Sequence, residues 1–222
     1  MNPNRPNPLP GVPLIESPFF SDLFNPLEMD PVLYGYARQL NENGYAVIDF
    51  PDAEFDAVAD RIKVSLNDRY NWDDWHHRGY GLRIQDAWKF DEDVRRIAVS
   101  EAILEMLRCF YGRRAWPFQT LNFPVGTQQH YHTDSVHFSS MPERFMCGVW
   151  VALEDVGLDQ GPLIYYPGSH KWPVYTNEHI GHRHSDLFNT NQGVYEEMWR
   201  RMVEASGIEP IRLEIKKGQA LI

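Results

Sequence analysis

The feature that most restricts the fold of this chain is a change of hydrophobic period near Gly112. Before that point apolar side chains recur at helical spacing, as in Phe55, Val58 and Ile62. After it, short runs alternate between apolar and polar residues, which is the pattern of strands with one buried face. Helices followed by short strands predict an α+β fold whose sheets form a sandwich or barrel.

Turn and cap residues set the expected element boundaries. Asp30-Pro31 predicts a helix start, and Gly44 predicts its end. The stretch 71–90 is rich in Trp, His and Gly and is predicted to be irregular. Helices are predicted over 30–43, 53–67, 91–98, 101–111 and 193–205. Strands are predicted over 45–50, 115–124, 145–154, 162–166 and 209–215.

Residues 1–28 contain seven prolines, which disfavour both helix and sheet, so an extended N-terminal arm is predicted. The arm has apolar side chains to bury against the rest of the protein: Leu14, Phe19, Phe20 and Phe24. We expect residues 29–222 to form a single domain.

Composition excludes several classes of protein. The net charge of −10 argues against binding to nucleic acid or to an anionic membrane. Cys109 and Cys147 are too few for a disulfide framework and predict free, buried thiols. The first residues lack the apolar segment of a signal peptide, and no stretch has the length of a membrane span. The expected location is therefore cytoplasmic.

The segment 128–137 contains the side chains that suggest chemistry: His130, His132, Asp134 and His137. In an extended segment, residues two apart point the same way, so His132 and Asp134 can direct an imidazole and a carboxylate to one point. Two histidines and one carboxylate on one face of an octahedron hold non-haem iron(II). A chain with nine histidines can also contain His-x-Asp by chance, with the aspartate capping a turn. The tripeptide alone leaves both interpretations open.

Two following segments are more specific: Cys147-Gly-Val-Trp-Val-Ala-Leu-Glu-Asp155 and Gln160-Gly-Pro-Leu-Ile-Tyr-Tyr-Pro-Gly-Ser-His-Lys171. Together with His132-x-Asp134 they resemble the phytanoyl-CoA dioxygenase family over roughly residues 80–220. Trp150 follows Asp134 by sixteen residues, as in that family.

The resemblance implies a double-stranded β-helix, or jelly roll, with flanking N-terminal helices. It also implies an iron(II)- and 2-oxoglutarate-dependent dioxygenase that uses O2 to hydroxylate a C–H bond of a small organic substrate. By the same resemblance, His132 and Asp134 are iron ligands. The residues it places around 2-oxoglutarate are Arg83, Gln119, Thr133 and Trp150.

Other histidines receive milder interpretations. His170, in the Pro-Gly-Ser-His turn, is predicted to be structural rather than a ligand. His130 is predicted to lie behind the ligands or in the pocket, and His137 either contacts substrate or is exposed. The histidine-rich stretch 178–185 is interpreted as a loop over the pocket mouth, and 72–78 as a packed surface loop.

Family members place a distal histidine and a 2-oxoglutarate-binding arginine after a Lys-Gly turn and an apolar strand. Here that turn is Lys217-Gly218-Gln219, and the last residue is Ile222. We therefore expect a domain that is incomplete at its C-terminus, with the parent protein supplying both residues. The alternatives are a catalytically silent jelly roll that binds a ligand, and a metal-cupin isomerase or epimerase. The sequence identifies neither the substrate nor the oligomeric state.

Overall fold

A computed structural model describes residues 7–78, 82–138, 140–181 and 192–222. Within these ranges the α-helices are α1 Phe20–Leu23, α2 Pro31–Asn43, α3 Phe55–Asn67, α4 Trp72–Arg78, α5 Glu92–Ala98, α6 Glu101–Tyr111 and α7 Gln192–Ser206. The strands are β1 Val47–Asp49, β2 Ile84–Gln85, β3 Leu121–Asn122, β4 Trp150–Val151, β5 Leu163–Tyr165, β6 Ile211–Leu213 and β7 Gln219–Leu221. No helix among the described residues combines the length and the apolar character needed to cross a bilayer.

The caps predicted for α2 are present. The Asp30 carboxylate accepts hydrogen bonds from the backbone N–H groups of Val32 and Leu33, both at 3.0 Å. Gly44 ends the helix with a left-handed φ of 86°, and its N–H donates to the Leu40 carbonyl. The helix boundaries near these residues were readable because cap chemistry is local to the chain.

The strands are shorter than predicted and form small antiparallel sheets. Strand β7 lies between β1 and β4, so that Ala220 pairs with Ile48 on one side and with Val151 on the other. Strand β2 pairs with β3, and β5 pairs with β6. The α+β class is confirmed. In the described part of the chain these sheets do not close into a double-stranded β-helix.

Two of the predicted strands are mostly unpaired. Only Leu121–Asn122 of 115–124 and Trp150–Val151 of 145–154 lie in a sheet. Beside these pairs, Thr120 accepts a backbone hydrogen bond from Asp86, and Ala152 exchanges backbone hydrogen bonds with Gly218 and Gln219. Most other residues of both segments lie in no sheet among the described residues. Alternation of apolar and polar residues favours extended backbone, but a strand also needs a neighbouring chain for its hydrogen bonds.

The prediction that the N-terminal arm is extended throughout was wrong. Within its described part, Leu14–Glu16 forms a 3₁₀ turn and α1 follows it. A proline immediately before a helical turn is tolerated because its missing N–H would have no partner there, and Pro13 occupies that position. The arm joins the main core through buried apolar side chains: Leu14, Ile15, Phe20, Leu23 and Phe24. Phe19, by contrast, is 40% exposed.

The arm is also held by charge. The carboxylate of Glu16 forms an ion pair with Arg144, whose guanidinium donates a second hydrogen bond to the carbonyl of His170. Burial raises the pKa of Glu16, and the neighbouring Arg144 opposes that rise. One arginine therefore joins the arm to a turn that lies far along the chain.

The stretch predicted to be irregular contains a helix, α4. The indole N–H of Trp72 donates to the Asn67 carbonyl at 2.9 Å, and its ring meets Tyr70 edge-on at 5.8 Å. These local contacts support a short helix that has no long apolar stripe, which is why periodicity did not indicate it. The interpretation of 72–78 as a loop was therefore wrong.

The C-terminal end of α2 is a junction with the Pro-Gly-Ser-His turn. The Gly168 N–H donates to the Asn43 carbonyl at 2.9 Å, and the Tyr165 hydroxyl donates to the Gly44 carbonyl at 3.0 Å. His170 Nε2 donates to the Asn41 carbonyl at 3.1 Å, and burial lowers the pKa of this imidazole. These bonds satisfy carbonyls that a helix end leaves unpaired. His170 thus occupies a structural position, in agreement with the prediction.

Substitution of Gly44 by alanine should destabilise the fold strongly. A Cβ at this position would lie 2.4 Å from His170 Nδ1 and 2.7 Å from the Tyr165 hydroxyl, and the φ of 86° adds backbone strain. Gly168→Ala is the matched control, since its φ is 84° but nothing lies within 4 Å of the added Cβ. The control should lose about 1–2 kcal/mol from strain alone, and Gly44→Ala clearly more. Urea unfolding of both variants measures this, and equal losses would contradict the close approach at Gly44.

Candidate active site

His132 and Asp134 lie on one side of an extended segment. Thr133 between them has φ −103° and ψ 132°, so its neighbours point the same way. His132 Nε2 and Asp134 Oδ1 are 3.3 Å apart. Asp134 also begins a single 3₁₀ turn, and its carbonyl accepts from the N–H groups of His137 and Phe138. This turn fixes the backbone directly behind the carboxylate.

The orientation of the His132 ring is set by the main chain. Its Nδ1 donates to the carbonyl of His130 at 2.7 Å, so the neutral ring presents an Nε2 lone pair on the side of Asp134. The Asp134 carboxylate raises the pKa of His132, against the effect of burial. Histidines that bind metals usually donate their other N–H to a carbonyl or carboxylate, which fixes the tautomer. His132 has this arrangement.

The two side chains fit a shared metal ion. Two ligand atoms about 2.1 Å from one ion and at right angles to each other are about 3.0 Å apart. The observed separation of 3.3 Å requires only a small adjustment. Among the described residues no third His, Cys, Asp or Glu completes a group that could hold a metal. The separation of the two atoms thus fits two adjacent ligand positions on one metal ion.

The position of Gly148 relates Trp150 to Asp134. A Cβ built on Gly148 would be 3.9 Å from Asp134 Oδ2, and Trp150 is two residues farther along the extended chain. The Trp150 ring packs against the buried cluster of Ala152, Ile215 and Leu221. Alternation along the segment therefore directs Trp150 to the side on which Asp134 approaches Gly148.

The other predicted pocket residues are not gathered there. Gln119 lines a cavity of about 390 Å³ beneath α6, together with Val149 and Val151, whose side chains point away from the Trp150 face. Arg83 is exposed, immediately before β2, and no described contact joins it to His132 or Asp134. Thr133 is also exposed, and its hydroxyl lies 2.9 Å from that of Ser135. Their roles at a cosubstrate stay predictions.

Sequence reasoning missed the contribution of α7. The ring of Trp199 lies 6.4 Å from that of His132 and is buried, with 6% of the residue exposed. Tyr195, one turn earlier, packs on Trp199 at 5.5 Å, and its hydroxyl donates to Asn177 at 3.0 Å. The i, i+4 spacing of the two aromatics marks one face of the helix. Nothing in that spacing indicates which residue the face meets.

Two further histidines, His130 and His137, lie near His132. His130 contributes its carbonyl to His132, while its own ring packs on Tyr131 at 4.0 Å. His137 is exposed, and its ring meets that of His132 edge-on at 5.7 Å. Residues 182–185 of the histidine-rich stretch 178–185 lie outside the described residues.

Comparison with known proteins decides the family. The sequence profile described as phytanoyl-CoA dioxygenase matches residues 21–222. The chain belongs to the phytanoyl-CoA dioxygenase family. A curated member from Bos taurus, "Phytanoyl-CoA dioxygenase, peroxisomal", is 28% identical over 104 residues. That match covers 44% of this chain and 31% of the relative, so it spans about a third of the relative's length.

Solved structures extend the family likeness to the fold. Two crystal structures of SnoN, a non-heme alpha ketoglutarate dependent epimerase from nogalamycin biosynthesis, match with a TM-score of 0.55 at 19% identity. They cover 86% of this chain, which in turn covers 73% and 74% of theirs. One of them holds SnoN in complex with Fe3+, alpha ketoglutarate and nogalamycin RO. At this identity the match indicates a shared fold.

Proposed function

We propose that this chain carries the metal-binding segment of an iron(II)- and 2-oxoglutarate-dependent dioxygenase that hydroxylates a C–H bond of a small organic molecule. The observation that carries the proposal is the pair His132 Nε2 and Asp134 Oδ1, 3.3 Å apart. The expected cofactors, iron(II) and 2-oxoglutarate with O2, agree with the iron and alpha ketoglutarate of the similar structure. We further propose that the small sheets belong to a double-stranded β-helix, for which the likeness to SnoN is the support.

The residues of this chain have separable roles in the proposed reaction. His132 holds the metal through Nε2, with its ring fixed by the His130 carbonyl, and Asp134 adds a negatively charged oxygen. When bound there, iron(II) and 2-oxoglutarate supply oxidising chemistry in which O2 gives one oxygen atom to the substrate C–H bond and one to succinate, as CO2 leaves. Trp199 packs against the His132 ring and limits the access of water on that side.

The cosubstrate pocket is proposed on the Trp150 face, because Asp134 approaches Gly148 on that side. Trp150 is packed against three buried apolar residues and would present a rigid wall. Gln119 lies in the cavity on the opposite side, which does not support its role beside Trp150. Thr133 and Arg83 are weaker candidates for contact with 2-oxoglutarate.

A second candidate is epimerisation, favoured by one observation: the similar structures are those of an alpha ketoglutarate dependent epimerase. The same ligand pair would serve a reaction in which a C–H bond is broken and re-formed on the opposite face of the carbon. Both reactions use the metal, whereas a silent ligand-binding jelly roll does not. Analysis of the product for an added oxygen atom distinguishes the two enzymes.

Metal binding tests the site directly. His132→Ala should weaken the binding of iron(II), measured by anaerobic titration, by more than about 100-fold, since even the partners behind a metal ligand are worth 10–100-fold. His76→Ala is the control, because His76 is an exposed histidine on α4 and no described contact joins it to His132 or Asp134. The control should bind iron(II) like the unmodified chain and form succinate from 2-oxoglutarate at the same rate. Unchanged affinity in His132→Ala would place the metal elsewhere.

A further inference from the structure

A row of aromatic rings leads away from His132. His137 meets His132 at 5.7 Å, Phe138 meets His137 at 6.4 Å, and Phe118 meets Phe138 at 5.4 Å. Each contact is edge-to-face, with interplanar angles of 63–74°. We name His132, His137, Phe138 and Phe118 the aromatic row. Its far end is open, since Phe118 is 57% exposed.

The far end of the aromatic row meets the mouth of the cavity beneath α6. Phe118 and Trp116 both line this space of about 390 Å³, and Trp116 is 67% exposed. Its inner wall is apolar, with Ile103 and Leu107 of α6 facing the extended segment that leads into β4. Exposed aromatic rings beside an apolar cavity are costly in water and mark a binding surface.

A cation lies at the same mouth. The guanidinium of Arg114 stacks over the Trp116 ring at 3.9 Å. Among the described residues Arg114 has no carboxylate partner and donates no hydrogen bond, unlike Arg61 and Arg96, which pair with carboxylates at 2.6 and 2.7 Å. In a chain with a net charge of −10, a guanidinium that has no described carboxylate partner and lies beside apolar rings fits a negatively charged ligand.

We propose that the aromatic row and the cavity mouth form the substrate-binding surface, and that the substrate is a flat, apolar molecule carrying a negative group at Arg114. This inference rests on the proposed function, because it takes His132 as the reacting end. Flat rings pack against the edges and faces of Phe138 and Phe118, whereas the cavity accepts apolar bulk. The guanidinium of Arg114 recognises a carboxylate, sulfonate or phosphate through its N–H groups.

Binding of two probes to the metal-free chain tests the surface: naphthalene-2-sulfonate, a flat anion, and 2-naphthalenemethanol, which is uncharged. Calorimetric titration should show that Phe118→Leu and Phe138→Leu weaken both probes about fivefold, since the aromatic contact is lost while apolar bulk is kept. Arg114→Gln should weaken the sulfonate about tenfold and leave the uncharged probe unchanged.

A second exposed pair provides matched controls. The guanidinium of Arg69 lies 4.4 Å over Phe90, which is 49% exposed. Phe90→Leu and Arg69→Gln should bind both probes like the unmodified chain. If these controls weaken binding as much as the test variants, the probes bind exposed rings without selection and the inference is overturned.

The result of the probe experiment is independent of the result of the activity test for the proposed function. Naphthalene binding needs no iron, so expected binding without any formation of succinate contradicts only the dioxygenase activity. If succinate forms while Phe118→Leu, Phe138→Leu and Arg114→Gln leave probe binding unchanged, only the substrate surface is overturned.

Discussion

Asp134→Ala is expected to reduce the formation of succinate from 2-oxoglutarate by several orders of magnitude and to weaken the binding of iron(II). The substitution removes the charged oxygen that lies 3.3 Å from His132 Nε2. Asp134→Glu keeps the charge but moves the oxygen by roughly 1 Å, and a displacement of that size costs about 100-fold in rate. The glutamate variant should therefore retain iron(II) and turn over slowly, while the alanine variant should be worse in both measurements.

A structural role for Asp134 predicts a different result. If the side chain only capped a turn, Asp134→Ala would lower the melting temperature and leave the activity per folded molecule unchanged. The Asp134 carboxylate is 49% exposed and caps no backbone N–H among the described residues, so we expect little change in melting temperature. Asp159→Ala, at another exposed aspartate, is the control and should retain iron binding and turnover. Iron content and turnover equal to those of the unmodified protein in Asp134→Ala would exclude the metal site.

Phe24→Ala is expected to lower the free energy of unfolding by about 3–5 kcal/mol, the usual cost of removing a buried phenylalanine ring. Phe24 is 1% exposed, and its ring stacks on Phe20 at 4.8 Å within the main core. Phe19→Ala removes the same ring from the same arm at a position that is 40% exposed, and should cost less than about 1 kcal/mol. Urea unfolding curves of the two variants measure the difference.

The comparison decides whether the arm belongs to the core. Similar small losses in both variants would show an arm that lies loosely on the surface. A large loss at Phe24 alone would show that the arm is part of the folded core.

The parts of the fold that sequence predicted well depend on neighbours in the chain. Asp30 and Gly44 mark the ends of α2 because cap hydrogen bonds form within a few residues. Strand pairing is not local: 115–124 was predicted as a strand, yet only Leu121–Asn122 lies in a sheet, because its partners cannot be read from its own residues. The arm was read as extended from its prolines, although Pro13 precedes a helical turn.

In the candidate site, too, local relations could be predicted from the sequence, whereas long-range contacts could not. The common direction of His132 and Asp134 follows from their spacing of two residues, and the structure has them 3.3 Å apart. Gln119 and Trp150 were placed together by family resemblance alone, and they lie on opposite faces of a strand segment. The contact of Trp199 with His132 joins residues 67 positions apart in the sequence, so only the tertiary fold reveals it.

The Pro-Gly-Ser-His turn is the most recognisable motif in this chain, and it stabilises the C-terminal end of α2 through hydrogen bonds. The turn is therefore useful for recognising the family, whereas its own contacts are structural rather than catalytic. The described contacts of this turn reach the end of α2, and none of them reaches His132 or Asp134. Assigning catalysis to a sequence that contains this turn therefore requires a separate examination of its His-x-Asp positions.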